Sequence, residues 1–150
     1  MAMSEPASIT IKSIGIVHSE LKKRERRDVK NIVSEIEIEP ALTEALDNLD
    51  EFSHIIVIYW MHQSRKPFPM KVHPRYRTEL AQVGVFASRS PDRPNPLGKS
   101  IVKLLERRKN ILKVQGLDAI DGTPIIDIKP YIPEIDSVEN SRIPPWMTKK

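Results

Sequence analysis

The sequence predicts a mainly β protein with some added α structure, folded as an antiparallel barrel or a strongly curved sheet. Short apolar segments bounded by turn residues recur along the chain, as is typical of antiparallel strands. Only one segment, residues 40–49, has the spacing of an amphipathic helix. With 150 residues and no internal repeat or low-complexity linker, the chain is expected to form a single domain.

Two strands are predicted before residue 40. Between Ile9 and Val17 isoleucines alternate with polar residues and change phase near Ser13, which predicts a strand with a bulge. In the next apolar segment the same alternation predicts a strand with one buried and one solvated face. The apolar positions of this second strand are Val33, Ile36 and Ile38.

A short helix and a central strand are predicted next. After Pro40 the residues at the i, i+3, i+4 and i+7 positions are apolar, and proline is tolerated in the first turn of a helix. These residues are Leu42, Ala45, Leu46 and Leu49. The run HIIVIYWM, residues 54–61, is almost continuously apolar and rich in β-branched and aromatic side chains, which predicts a strand buried on both faces.

The second half of the chain predicts further strands and one unusual loop. Residues 82–88 predict a strand that runs into the proline-rich segment RSPDRPNPLG, residues 89–98. A hairpin is predicted from two apolar segments, and Ile125 begins a last short strand. The hairpin segments are residues 100–106 and 111–117. The predicted division of the chain is a flexible N-terminus at 1–8, a folded domain at 9–136 and a tail at 137–150.

Composition restricts the kinds of function. The formal net charge of +4 permits an anionic partner such as nucleic acid, because basic surfaces attract phosphates. Thirteen prolines against five glycines favour loops that are held rigid. The chain contains no cysteine, which excludes disulfides, thiolate nucleophiles and cysteine-ligated zinc. No apolar run approaches the roughly 20 residues of a membrane span and no signal peptide is recognisable, so a cytoplasmic protein is expected.

Residue spacing disfavours two common classes of site. The glycines never fall within five residues of each other, which excludes a GxGxxG dinucleotide loop and a P-loop. The four histidines have no HxxxH spacing, so no metal site is expected. His54 is interpreted as a structural residue at a strand entrance, whereas His62 is open between a structural and a functional role.

Three groups of residues are candidates for binding or chemistry. Arg89 and Arg93 offer planar forks for a carboxylate or phosphate, or they pair with nearby acids in a rigid loop. A second group places three carboxylates beside an Asp-Gly turn, which either meets a ligand or is a plain β-turn. These carboxylates belong to Asp118, Asp121 and Asp127. The basic run KKRERR, residues 22–27, either contacts phosphates or forms a solvated loop.

Four segments of the sequence resemble one known family. The segment GVFASRSPDRPNPLGKS, residues 84–100, is similar to the signature of the TsaA-like family, which includes the enzymes called TrmO. Three more segments agree in order and spacing: IGIVHS (14–19), LDEFSHIIVIYWMHQ (49–63) and LDAIDGTPIIDIKPYIP (117–133). The resemblance implies a single-sheeted β-barrel, a homodimer, and binding of S-adenosylmethionine without a Rossmann fold. Its implied activity is methylation of N6 of threonylcarbamoyladenosine at position 37 of tRNA.

The resemblance also implies the site residues. The cofactor site would fall on Ser19, Glu20, Leu21, His62, Gln63, Arg89, Lys99, Asp121, Gly122, Thr123 and Pro124. Arg93 and Asn95 would lie beside the transferred methyl group or the RNA. Asp121 is the candidate to take the proton of the acceptor nitrogen, with the carboxylate of the substrate as the alternative.

Two other functions stay open at this point. A methyltransferase of the same fold could act on a different nucleobase or small molecule. A barrel without catalytic activity could bind single-stranded RNA through its charge, although an aromatic content of 5% supplies few stacking surfaces.

Overall fold

An antiparallel β-barrel forms the body of the molecule. The computed structural model describes residues 4–25 and 27–148. Its strands are β1 (Gly15–His18), β2 (Val33–Ile38), β3 (His54–Trp60), β4 (Lys71–Val72), β5 (Val83–Gly84), β6 (Leu97–Arg108), β7 (Ile111–Gln115) and β8 (Pro124–Pro130). The barrel closes in the order β1-β2-β7-β6-β3-β8, and β4 and β5 form a separate two-stranded sheet. All strand pairs are antiparallel, which confirms the predicted fold class.

The helical segments are short and lie between or after the strands. The 3-10 helices are Pro40–Leu46, Leu49–Glu51, Pro74–Tyr76, Val85–Ala87 and Pro145–Met147, and the α-helix α1 is Pro133–Asp136. Among the described residues, no helix is long and apolar enough to cross a membrane. Within the part of the chain that the structure describes, the added α structure amounts to the single turn of α1.

Aliphatic side chains from all six barrel strands fill the interior. On β3, Ile55, Val57 and Tyr59 point into this core, and Ile56 on the opposite face is also buried. Both faces of β3 are thus covered, which confirms the prediction of a central strand. The other buried members of the core are Val17, Ile36, Ile38, Leu46, Val102, Leu104, Leu112, Val114, Leu117, Ala119 and Ile125. Each large aliphatic side chain contributes roughly 1.5–3 kcal/mol by leaving water.

The predicted hairpin is also confirmed, and it is longer than predicted. β6 begins at Leu97 instead of Ser100 and pairs with β7 from Arg108↔Ile111 onwards. Lys109 adopts a left-handed backbone in the turn, with φ 54°. The last predicted strand corresponds to β8.

The N-terminal strand prediction is wrong in extent and in its bulge. The regular strand begins only at Gly15, and Ile9 and Ile11 are exposed. β1 pairs with β2 and β8 from Gly15 onwards. Alternating isoleucines form a strand only where a neighbouring strand is available. The buried face of β2 also differs, because Ser34 points inward with Ile36 and Ile38, while Val33 is exposed.

Two further elements differ from the predictions. Residues 40–46 form a 3-10 helix instead of an amphipathic α-helix, with i to i+3 hydrogen bonds such as Leu42 N to Glu39 O at 2.8 Å. Only Leu46 of this segment is buried, so packing does not select the wider α-helix. The strand predicted at 82–88 is limited to β5, because a 3-10 turn begins at Val85. The predicted division into terminus, domain and tail stays a prediction, and residues 1–3 and 149–150 lie outside the described residues.

Candidate functional site

One end of the barrel carries a cavity of about 860 Å³. The loops after β1, β3 and β7 meet there, together with the N-terminal end of β6 and the segment that precedes it. This arrangement follows from the antiparallel pairing, which brings the C-terminal ends of β1, β3 and β7 to the same side. The proline-rich segment 89–98, here called the signature loop, and the acidic turn 118–124 both contribute to its wall.

Positive charge dominates the cavity wall. Among the described residues, the lining cations are Lys23, Arg24, Arg27, Arg75, Arg89, Arg93 and Lys99. The lining carboxylates are Glu25 and Asp118. Arg26 of the predicted basic run lies outside the described residues. The excess of cations suits an anionic ligand, because charges in a concave site attract more strongly than charges on an open surface.

A buried carboxylate anchors the signature loop to two other segments. Asp92 accepts hydrogen bonds from the backbone N–H of Arg65 at 2.7 Å and from the Arg65 side chain at 3.1 Å. Arg24 approaches the same carboxylate with two guanidinium nitrogens, at 3.0 and 3.2 Å. Burial alone would raise the pKa of Asp92, but these donors outweigh it and lower the pKa. The carboxylate therefore stays ionised and joins the loops after β1 and β3 to the signature loop.

Arg24 also contacts two other parts of the cavity wall. Its guanidinium donates to the carbonyl oxygen of Gln63 at 3.2 Å and to the hydroxyl of Tyr76 at 3.4 Å. Tyr76 and its neighbour Arg75 both adopt a left-handed backbone, with φ 58° and 55°. Such backbone is costly for residues with side chains and persists only where surrounding contacts hold it.

Arg93 is held in place by the backbone of its own loop. One guanidinium nitrogen donates to the carbonyl oxygens of Ser88, at 2.9 Å, and Ser90, at 3.1 Å. The guanidinium carbon lies 6.0 Å from the ring centre of the exposed Phe86. Arg89 behaves differently, since it makes no hydrogen bond or ion pair with another described residue and is exposed. Its guanidinium is therefore available to a ligand.

The acidic turn is tied to the loop after β1. Asp121 accepts a hydrogen bond from the backbone N–H of Ser19 at 2.9 Å and forms an ion pair with Lys22 at 3.1 Å. These two contacts lower the pKa of Asp121. Gly122 has φ 84°, a conformation that strains any other residue, and its N–H donates to the carbonyl of Val17 at 2.8 Å.

Tyr59 and Asp118 form another part of the cavity wall. The Tyr59 hydroxyl lies 2.9 Å from the backbone carbonyl of Asp118 and 3.0 Å from the hydroxyl of Ser100. Burial raises the pKa of Tyr59 to about 12, so the hydroxyl keeps its proton at neutral pH. Loss of surrounding water also raises the pKa of Asp118, which Arg27 partly opposes, although its carboxylate remains accessible from the cavity.

Comparison with known proteins decides the family. Residues 16–137, more than half of the chain, match the family described as the tRNA-methyltransferase O N-terminal domain. The chain belongs to this family. The resemblance to the TsaA-like enzymes is thus confirmed, and with it, at the level of the family, the expectation of an S-adenosylmethionine-dependent methyltransferase.

Individual relatives agree with this result. The chain is 43% identical over 132 residues to an S-adenosyl-L-methionine-binding protein of Archaeoglobus fulgidus, covering 85% of this chain and 93% of that protein. It is 41% identical over 97 residues to the tRNA (adenine(37)-N6)-methyltransferase of Mus musculus, covering 64% of this chain and 22% of that protein. The crystal structure of TrmO from Pseudomonas aeruginosa matches with a TM-score of 0.73 at 30% identity, covering 91% of this chain and 62% of the TrmO chain. The chain thus spans less than two thirds of the length of that solved TrmO chain.

The structure brings most of the predicted TrmO site residues to one cavity. Those that line it are Leu21, His62, Gln63, Arg89, Arg93, Asn95, Lys99 and Thr123. Ser19, Glu20, Asp121, Gly122 and Pro124 lie in the same two loops but do not line the cavity. Their individual roles stay predictions.

Sequence reasoning missed several residues of the cavity wall. The sequence places Tyr59 only within a buried strand, and it offers Asp118 as one of three carboxylates that either meet a ligand or belong to a plain turn. Arg24 was one cation in a basic run, so nothing in the pattern distinguished it from its neighbours. The spacing between Arg24 and Asp92, 68 positions apart, carries no sequence signal.

Proposed function

We propose that this chain transfers the methyl group of S-adenosylmethionine to N6 of threonylcarbamoyladenosine at position 37 of tRNA. Family membership supports methylation of adenine N6 in tRNA. The observation that carries the proposal is the cation-lined cavity, which the family's own sequence segments surround. Because tRNA is the substrate, we also propose a cytoplasmic location. The homodimer implied by the resemblance stays a prediction.

The residues of the cavity fit S-adenosylmethionine. A volume of about 860 Å³ lies within the usual range of small-molecule sites, roughly 300–1,000 Å³. Leu21, Met61 and Ile120 offer apolar surface to the adenosine, and the lining arginines suit the carboxylate of the amino acid part. When bound, this cofactor supplies a methyl group on a positively charged sulfur. No residue of the chain has to form a covalent bond for the transfer.

We propose the following roles for the site residues. The cofactor-binding residues are Leu21, His62, Gln63, Arg89, Lys99 and Thr123 in the wall, supported by Ser19, Glu20, Asp121, Gly122 and Pro124 in the adjoining loops. Arg93 and Asn95 face the acceptor. Methyl transfer is an in-line displacement that depends on orientation and exclusion of water, and loops held by ion pairs and prolines provide that orientation.

The charge of the cavity supports an anionic acceptor. S-adenosylmethionine has one sulfonium, one ammonium and one carboxylate, so its net charge at neutral pH is positive. Seven lining cations against two carboxylates exceed what its single carboxylate requires. Phosphates of tRNA and the carboxylate of the threonylcarbamoyl group would balance the remainder.

Labelled S-adenosylmethionine with two tRNA preparations tests the proposal. One preparation carries the threonylcarbamoyl group at position 37, and the other lacks it. We expect transfer only to the first, in a reaction that slows steeply as salt increases. Transfer to neither tRNA, despite cofactor binding, would refute the tRNA assignment, and transfer to both would refute the requirement for the threonylcarbamoyl group.

Substitution of Arg89 tests the site within the same assay. Arg89→Ala should weaken cofactor affinity or turnover by about 10- to 100-fold, the size of one or two charge-assisted hydrogen bonds. The melting temperature should hardly change, because Arg89 is exposed and has no partner among the described residues. Arg108→Ala, at the far end of β6, is the matched control and should keep full activity. Unfolding of the Arg89 variant would instead indicate a structural role.

A further inference from the structure

Among the described residues, one carboxylate of the cavity wall makes no side-chain hydrogen bond or ion pair within the fold. Of the two lining acids, Glu25 pairs with Arg27 at 3.4 Å. The side chain of Asp118 has no hydrogen bond or ion pair with another described residue. Burial raises the pKa of this carboxylate and the charge of Arg27 partly opposes the rise, but no described residue of the cation-lined wall pairs with it. Asp118 is therefore available to a ligand in the cavity.

The backbone around Asp118 is fixed, although its side chain is free. The backbone carbonyl of Asp118 accepts a hydrogen bond from the Tyr59 hydroxyl at 2.9 Å. The backbone N–H of Asp118 donates one to the Ser100 hydroxyl at 3.4 Å. Its neighbours Leu117 and Ala119 are both buried in the barrel core. The core thus fixes the backbone that carries the carboxylate at the cavity, and a group acting on a substrate needs such a rigid support.

We propose that the carboxylate of Asp118 accepts the proton that leaves N6 of the adenine during methyl transfer. This inference rests on the proposed function. The N6 lone pair forms the new N–C bond, and the S–C bond breaks with its electron pair remaining on sulfur as a neutral thioether. The N6–H bond breaks, its electron pair stays on nitrogen, and the proton passes to a carboxylate oxygen of Asp118 and then to water. The carbamoyl group makes N6 a weak nucleophile, so removal of this proton assists the reaction.

Asp118 is better suited to this role than Asp121. Both oxygens of Asp121 are engaged by Ser19 and Lys22, contacts that lower its pKa and its basicity. Asp118 faces the cavity, and partial loss of water raises its pKa, which makes its carboxylate the stronger base of the two. The proton-acceptor role predicted for Asp121 stays a prediction, and the contacts of Asp121 favour support of the loop instead.

Asp118→Asn tests the proposal, with Asp118→Glu and Asp127→Asn beside it. Asp127 belongs to the same acidic group but lies outside the cavity wall and pairs with Lys129 at 2.9 Å. Single-turnover rates are measured at saturating cofactor and tRNA between pH 5 and pH 9. General bases contribute about 10²- to 10⁴-fold, so Asp118→Asn should be slower by at least about 100-fold. Asp118→Glu should retain part of the rate, and Asp127→Asn should match the unmodified protein.

Two readouts separate catalysis from structural damage. The affinity for S-adenosylmethionine, measured by calorimetry, should be unchanged in Asp118→Asn. The rate of the unmodified protein should fall as pH falls through the pKa of Asp118, and this inflection should be missing in Asp118→Asn. The other titratable or charged groups of the same cavity wall are Lys23, Arg24, Glu25, Arg27, Tyr59, His62, His73, Arg75, Tyr76, Arg89, Arg93 and Lys99. An inflection that persists in Asp118→Asn belongs to one of these and overturns the proposal.

The remaining outcomes distinguish this inference from the proposed function. If the unmodified protein methylates tRNA and Asp118→Asn does so within about threefold, the substrate's own carboxylate or water takes the proton, and only the role of Asp118 is refuted. If Asp118→Asn loses cofactor affinity in parallel with rate, Asp118 is a binding residue. If the unmodified protein binds cofactor but methylates neither tRNA, the proposed function fails and the role of Asp118 with it.

Discussion

Removal of the buried Asp92 carboxylate should destabilise the protein by several kcal/mol, about 3–5 kcal/mol for the loss of one member of a buried ion pair. The side chain of Asp92 is 5% exposed, and that of its partner Arg24 is 22% exposed. Asp92→Ala would leave Arg24 partly buried without its partner and would also free the backbone N–H of Arg65. Breaking such a pair from one side is costly because the remaining charge has been removed from water.

The magnitude follows from the exposure of each partner. Loss of one member of a buried pair costs about 3–5 kcal/mol. The Arg65 side chain is 76% exposed, so its ion pair adds less than about 1 kcal/mol. We therefore expect Asp92→Ala to lower the free energy of unfolding by about 3–5 kcal/mol and Asp92→Asn by about 1.5–3 kcal/mol. In a chain of 150 residues each kcal/mol corresponds to about 2–4 °C in Tm.

Urea titrations at pH 7 and at acid pH measure this effect. Asp47→Asn is the matched control, because Asp47 is 61% exposed and its partner Arg107 keeps the carbonyls of Thr43 and Lys109 as acceptors, so the loss should cost less than about 1 kcal/mol. The pKa of Asp92 is lowered in the folded protein. Its contribution is therefore present above the unfolded pKa of about 3.9 and is lost as pH falls through the folded pKa. An Asp92→Ala loss below about 1 kcal/mol, or one that is equal at pH 7 and pH 2, would refute this reasoning.

Two further substitutions test the contact between β3, β6 and the acidic turn. Gly98→Ala would place a methyl group 2.8 Å from Cζ of the Tyr59 ring and should lower the free energy of unfolding by about 1–3 kcal/mol in a urea titration. Equal stability would mean that the ring moves aside freely. Tyr59→Phe removes the hydroxyl that contacts Ser100 and the carbonyl of Asp118, and should cost about 1–2 kcal/mol. Its methyl-transfer rate should fall as well, and an unchanged rate would show that this contact does not position Asp118.

The fold was predictable where local pattern and tertiary environment agree. The run at 54–61 is apolar at both alternating positions, and the strand that it predicts is buried on both faces at Ile55, Ile56 and Val57. The segment at 9–14 is also rich in β-branched residues, but the regular pairing of β1 starts at Gly15. Its residue pattern therefore predicts a strand that the fold does not form. Ser34 illustrates the same limit, since a small polar side chain can occupy an inward position when a neighbour such as the Ser19 hydroxyl, 3.4 Å away, satisfies it.

The candidate site was predictable as a set of segments and less so as a set of contacts. Motif resemblance identified the loops that meet at the end of the barrel, because their residue types are distinctive along the chain. The pairing of Arg24 with Asp92 depends on how those loops cross in space, and no local pattern records it. For the same reason the acidic group could not be divided by sequence into engaged and free carboxylates.

Three carboxylates in and around the site differ in their contacts, and this difference separates those that hold loops in place from the one proposed to take up a proton. Asp92 and Asp121 each receive donors from other segments, and in both the pKa is lowered. Such groups hold loops together because they stay charged, but for the same reason they are poor proton acceptors. Asp118 lies between buried residues of the core, has no such donor among the described residues, and has a raised pKa. Holding loops in place and taking up a proton make opposite demands on the pKa of a carboxylate, so the engaged acids support the loops and the free one is left to the cavity.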